Sequence, residues 1–159
     1  MDTNTLSLVA ASAADAATTF GAAGYICALA LAGVGAALGT GAAGLATLGA
    51  WKRCLLDNRQ MPFLLVAFVG APLSQVIYGM ILMNDLKAAV GEANPWALLA
   101  AGVFGGLAIG VSAWMQGKAG AAAADALAST GKGFANYLMV LGIIETVALF
   151  VMVFLMTTI

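Results

Sequence analysis

Glu145 is the residue that most constrains this chain, because it stands in the apolar run Leu141-Gly142-Ile143-Ile144-Glu145-Thr146-Val147-Ala148-Leu149-Phe150. A charge at the centre of such a segment costs about 2.5–3.5 kcal/mol on insertion scales. A proton, a bound metal cation or a fixed basic side chain could each neutralise it. The basic residue nearest in depth is Lys118, two positions beyond Gln116, so the two side chains point to roughly opposite faces of their helix. If Gln116 faces Glu145, a static bridge to Lys118 is disfavoured, and Lys118 snorkels toward a polar lumen or the interface. An exchangeable cation is then the better reading of the carboxylate.

A second polar cluster stands in Ala71-Pro72-Leu73-Ser74-Gln75-Val76-Ile77-Tyr78-Gly79. Pro72 has no N–H to give to the carbonyl four residues back, which kinks the helix and loosens backbone carbonyls. With Ser74, Gln75, Gln116, Glu145 and a freed backbone carbonyl, the donors are a hydroxyl, two amide oxygens, a carboxylate and a carbonyl. All are hard oxygens, suited to a hard cation and poorly suited to a soft transition metal. Mutual hydrogen bonding without an ion is the alternative, since buried amides and hydroxyls need partners in either case. Tyr78, four residues after Ser74 and three after Gln75, can reach the same face and bond Glu145. Such a bond would favour the ionised carboxylate and hence a metal cation over a proton. The alternative for Tyr78 is a lipid-facing position near the interface.

The elements that position these groups follow from composition. Of 159 residues, 63% are hydrophobic and 8% are charged, so lipid is the natural solvent. A formal charge of −1 and no histidine give neither a basic field for nucleic acid nor a zinc or imidazole site. Cys27 and Cys54 read as free thiols, Cys27 in a lipid-embedded helix and Cys54 in a polar loop. No Lys or Arg precedes the first apolar stretch, so a cleavable signal peptide is not expected. Apolar runs long enough to span a bilayer lie at roughly 17–50, 61–84, 94–125 and 133–159. Polar breaks at Lys52 to Pro62, Asn84 to Pro95 and Asp125 to Lys132 separate them. The expected architecture is an all-α membrane protein with four transmembrane helices in two tandem hairpins, 17–84 and 94–159, after an N-terminal segment 1–16. Lys and Arg concentrate in the first and third breaks, which places those turns in the cytoplasm and both termini opposite.

Odd spans are crowded with Gly and Ala, including the pairs Gly35/Gly39 and Gly106/Gly110, and even spans carry Leu, Ile, Phe and Met. Small residues at this spacing let backbones approach closely, either within one bundle or in an inner ring built from several copies. Residues at equal depth on a hairpin are equidistant from its turn. The midpoint of Gln116 and Glu145 falls between Thr130 and Gly131, and that of Thr40 and Ser74 at Asp57. Thr40 aligns with Gln116 through the glycines, so all four lie level, roughly 20 Å from the turns at about 1.5 Å per residue.

In this order and depth, Pro72-x-Ser74-Gln75-x-x-Tyr78-Gly79, Gln116-Gly117-Lys118 and Glu145-Thr146 resemble the ring proteolipid, known as c or K, of rotary V-type ATPases. The resemblance runs from about residue 17 to the end. It implies a homo-oligomeric ring of identical copies in a multi-pass integral membrane setting, most simply a prokaryotic cell membrane. It further implies one ion on Glu145, held in sodium-transporting members by Glu145, Gln116, Gln75, Ser74 and the Ala71 carbonyl, with Tyr78 bonding the glutamate. Ser74 stands where that pattern often has threonine, and Leu73 replaces a small residue. The first hairpin has no acid at the depth of Glu145, so one membrane carboxylate serves four helices, which favours a pump over a synthase. Implied partners are lipid, a stator membrane subunit with an essential Arg, and a central stalk at the cytoplasmic loops. No organic cofactor is expected, and ATP hydrolysis falls to partner subunits because no phosphate loop is present. Alternatives are a proton-carrying ring of the same kind, a small four-helix cation or drug antiporter, and a structural membrane protein in which Glu145 pairs with a neighbouring subunit.

Overall fold

The computed structural model describes residues 2–159; Met1, in the N-terminal segment, lies outside them. Five α-helices, α1 (Thr3–Leu56), α2 (Leu65–Gly70), α3 (Ser74–Ala88), α4 (Pro95–Thr130) and α5 (Phe134–Met156), make up the described chain, with a 3-10 turn at Ala71–Leu73 joining α2 to α3. They form four segments long and apolar enough to cross a membrane, the second being Leu65–Ala88. The protein is an all-helical, multi-pass integral membrane protein.

The helices run further than the apolar pattern suggested. From Thr3 the N-terminal segment is simply the start of α1, whose 54 residues span about 81 Å, far more than a bilayer core. Residues 3–16 are exposed. Lys52 and Arg53 are helical, and so is Cys54, which is buried rather than in a polar loop. The reason is local: Ala50-Trp51-Lys52-Arg53-Cys54-Leu55-Leu56 contains no helix breaker, and the chain turns only where Asn58 takes φ 53°. Cys54, four residues after Ala50, joins it on the core side against Leu65 and Phe68. Similarly α4 continues past Asp125 to Thr130 and stops at Gly131, whose φ of 66° is the left-handed cap conformation glycine favours. Its start is set by Asn94, whose side chain accepts from the Trp96 N–H at 2.9 Å, with Pro95 in the first turn.

The Gly-rich helices α1 and α4 pack directly on each other, and α3 and α5 lie against this pair. Contact is backbone to backbone: Gly35 lies on Gly110, Gly117 on Gly39 and Gly102 on Gly24, and a Cβ at any of them would run into the facing main chain. In a membrane, where apolar side chains gain nothing by leaving lipid, such close van der Waals contact supplies much of the association energy.

The ends of the bundle are tied separately. Arg53 pairs with Asp125, and Arg59 donates to the Ala128 carbonyl and to Asp57 Oδ2, each at 3.0 Å, so the first and third connections share one end. At the other end Phe20 stacks on Trp96, with ring centroids 4.5 Å apart.

Gly117→Val should therefore destabilise the folded protein by about 3 kcal/mol or more, the upper range of overpacking, read as a lower unfolding temperature in detergent. Gly33→Ala, whose Cβ meets nothing within the chain, should cost much less.

Candidate ion-binding site

Pro72 sets up the second span's contribution. At the 3-10 turn Ala71–Leu73 the helix tightens between α2 and α3, and Pro72 is buried against Gly39 of α1. Ser74 Oγ sits 3.1 Å from the Ala71 carbonyl and 3.1 Å from Gln75 Oε1. A hydroxyl has one proton to give, so three oxygens gather around a single hydrogen and the cluster is electron-rich.

From there a chain of hydrogen bonds crosses the bundle. Gln75 Nε2 donates to Gln116 Oε1 at 2.8 Å, with both side chains fully buried. Gln116 Nε2 donates both protons to α5, one to the Leu141 carbonyl at 3.1 Å and one to Glu145 Oε2 at 3.2 Å. Tyr78 donates to the other carboxylate oxygen, Glu145 Oε1, at 2.6 Å, a length within the range of a hydroxyl bonding an ionised carboxylate. Thus α3 and α4 each hold one oxygen of the carboxyl group on α5.

Glu145, Gln116, Gln75, Ser74, Ala71 and Tyr78 are therefore brought into one connected polar cluster between α3, α4 and α5. Glu145 is only half-buried within the chain, since α5 lies on the flank of the bundle and Ile143 and Val147 beside it are exposed. Depth in the lipid and burial in protein are different quantities, and apolar pattern alone speaks to the first. Lys118 takes no part: its Nζ lies 5.1 Å from the centre of the Trp114 ring on the exposed side of α4. Thr40, level with Gln116 by hairpin symmetry, also stays outside the cluster; its buried hydroxyl has no hydrogen-bond partner among the described residues.

One further group belongs to the cluster's surroundings. Ser112 on α4, 5% exposed, donates to the Ile144 carbonyl at 2.9 Å, next to Glu145 in sequence. Its position four residues before Gln116, hence on the same helix face, was the available signal.

The donor set is one carboxylate, two amide oxygens, a hydroxyl and a backbone carbonyl. All are hard oxygens, a set suited to a hard cation and poorly suited to a soft transition metal.

Residues 99–157 match the family of the ATP synthase C subunit. The matched stretch is the second hairpin and contains Ser112, Gln116 and Glu145. The matched family is one of non-catalytic, ion-translocating subunits that assemble as homo-oligomeric rings and work against a stator. No curated protein sequence matches the chain.

Tyr78→Phe deletes one of the two donors to the carboxylate, a bond to a charged group worth about 1.5–3 kcal/mol. Glu145 should then react roughly tenfold faster with a hydrophobic carbodiimide, which attacks the protonated acid, measured by mass spectrometry of the labelled peptide.

Proposed function

We propose that this chain is the rotor-ring subunit of a V-type ATPase and that each copy carries one cation, sodium in preference to a proton, on Glu145. Ion movement is coupled to ATP hydrolysis on partner subunits. The observation that carries the reading is the Glu145 carboxyl gripped from two other helices, by Tyr78 and Gln116, and joined through Gln75 to the oxygens of Ser74 and Ala71. The family match of the second hairpin supports the rotor role. The V-type assignment rests on the tandem hairpins with a single membrane carboxylate, the first hairpin having Ser74 and Gln75 at that depth and no acid.

The mechanism follows from electrostatics. With a cation bound, Glu145 is neutral in sum and its half-buried flank can face lipid as the ring turns. When the ion leaves, the carboxylate is charged and hydrocarbon becomes prohibitive, so the empty site stays in a wetted interface beside a stator. The stator must supply the opposing charge, an Arg on the pattern of this family. Arg53 and Arg59 are engaged with Asp125, Asp57 and Ala128 at the end of the bundle. That end, with exposed Lys52, is the surface for a central stalk, and the setting is a prokaryotic cell membrane.

Sodium is supported by the donors. Each amide oxygen in the chain accepts one hydrogen bond and retains a second lone pair for a cation. A proton-carrying ring is the second reading, supported by the way the bonds from Ser74 to Gln75, Gln116 and Glu145 close among themselves with the carboxyl as terminal acceptor.

Carbodiimide labelling of the purified protein separates the two. Under the sodium reading, rapid labelling of Glu145 is suppressed at least tenfold by sodium and not by an equal concentration of a bulky organic cation, and Glu145→Gln does not label. Suppression by raised pH alone would establish the proton ring. Failure to label under any condition would make Glu145 a permanently paired structural acid and remove the rotor assignment.

A further inference from the structure

The polar residues of α4 do not all address the carboxyl group. Two of them hold the backbone that carries it. Gln116 Nε2 donates to the Leu141 carbonyl as well as to Glu145, and Ser112 Oγ donates to the Ile144 carbonyl at 2.9 Å. On α4 the two donors are four residues apart and share a face; on α5 the two acceptors are three residues apart and share a face. Leu141 is the residue whose carbonyl the Glu145 N–H meets in a regular helix, and Ile144 directly precedes Glu145. The helical turn ending at the carboxylate is thus fastened to α4 at both ends.

This fastening bears on a specific geometric problem. Along α5 the residues that pack inward nearest Glu145 are Leu141 and the small Ala148, while Ile143 and Val147 are 63% and 53% exposed, so side-chain packing within this turn fixes rotation about the helix axis incompletely. A rotation of α5 would swing the carboxyl away from Tyr78 and Gln116 toward lipid. A hydroxyl at the α4–α5 contact resists that rotation without touching the ion or the carboxyl.

We propose that Ser112 is a positioning residue, fixing the rotation of α5 through the Ile144 carbonyl so that Glu145 stays aimed at Tyr78 and Gln116. The proposal rests on the ion-carrying role of Glu145. Loss of the hydroxyl leaves the Ile144 carbonyl its own helical hydrogen bond from the residue four positions on, so α5 remains helical and the protein folds. The effect falls on aim, hence on ion occupancy and on how often the carboxyl meets the reagent.

The test is carbodiimide labelling of Glu145 in the full-length protein in detergent, read in two ways. One is the sodium concentration that halves the rate; the other is the rate without sodium. Ser112→Ala should raise both about threefold, the factor that one interhelical hydrogen bond in a membrane corresponds to. Ser112→Thr, which keeps a hydroxyl, should restore both toward the parent values. Val111→Ala, on the exposed neighbouring position, reports loss of packing alone and should leave both unmoved. Parent values in Ser112→Ala, or an equal change in Val111→Ala, would overturn the proposal. If sodium fails to protect even the parent protein, the sodium reading fails by itself, and the sodium-free rates of parent and Ser112→Ala still decide the role of Ser112.

Discussion

On the proposed ion-carrying role, a carboxylate that must stay in hydrocarbon yet remain exchangeable is the constraint on which the rest of this molecule depends. Isolated in lipid, Glu145 would be too costly to keep ionised, and permanently paired it would be inert. The structure meets both demands by donating to the two carboxylate oxygens from two different helices, with Tyr78 on α3 and Gln116 on α4, and by leaving one flank of the acid half-open. Neither donor carries a positive charge. Neutral donors hold the charged form in place without neutralising it, and so leave a cation something to do.

Holding three side chains on three helices to hydrogen-bond tolerance requires a rigid frame, and α1 and α4 provide it. Their glycines remove the side-chain layer between two backbones, as at Gly35 on Gly110 and Gly117 on Gly39. Gly117 follows Gln116 directly. A close backbone contact is therefore adjacent to the residue that bridges Gln75 and Glu145, and any slackening there would be felt in the site. Pro72, buried against Gly39, ties the 3-10 turn to the same stretch of α1. Small residues on the inner pair and large apolar ones on the outer helices are two aspects of one arrangement, in which the inside fixes distances and the outside meets lipid.

Much of this was legible in the sequence because a membrane simplifies the problem. Backbone groups in lipid must be satisfied within helices, so apolar runs could be read as spans and polar residues inside them as exceptional. Equal distance from a turn then put Ser74, Gln116 and Glu145 at one level without knowledge of the fold. Helix ends were less legible, since Lys52, Arg53 and Asp125 are polar yet helical; polarity marks the edge of the lipid, whereas Asn58 and Gly131 mark the end of the helix. Cys54, beside those charged residues, is helical and buried for the same reason. The role of Ser112 is not legible in the sequence because a serine in a helix commonly bonds its own preceding turn, and which carbonyl it chooses depends on a neighbouring helix that a sequence does not display.

Under the proposed ion-carrying role, the half-open flank of Glu145 separates two tasks that a fully buried site would merge. Gln75 and Gln116, fully buried, form the part of the cluster that need not change between empty and loaded states, because neutral amides satisfied by one another gain nothing from exposure. Glu145 and Tyr78, half-buried on the outer helices, are where that role puts the change of charge on loading and the need for access. An ion entering from the flank meets the carboxylate first and the fixed oxygens behind it. Release requires only that the carboxyl lose its hold on the ion, with the amide chain behind left standing. A site so built would load and empty with little rearrangement of the α1–α4 frame, which is what the proposed repeated ion transfer demands.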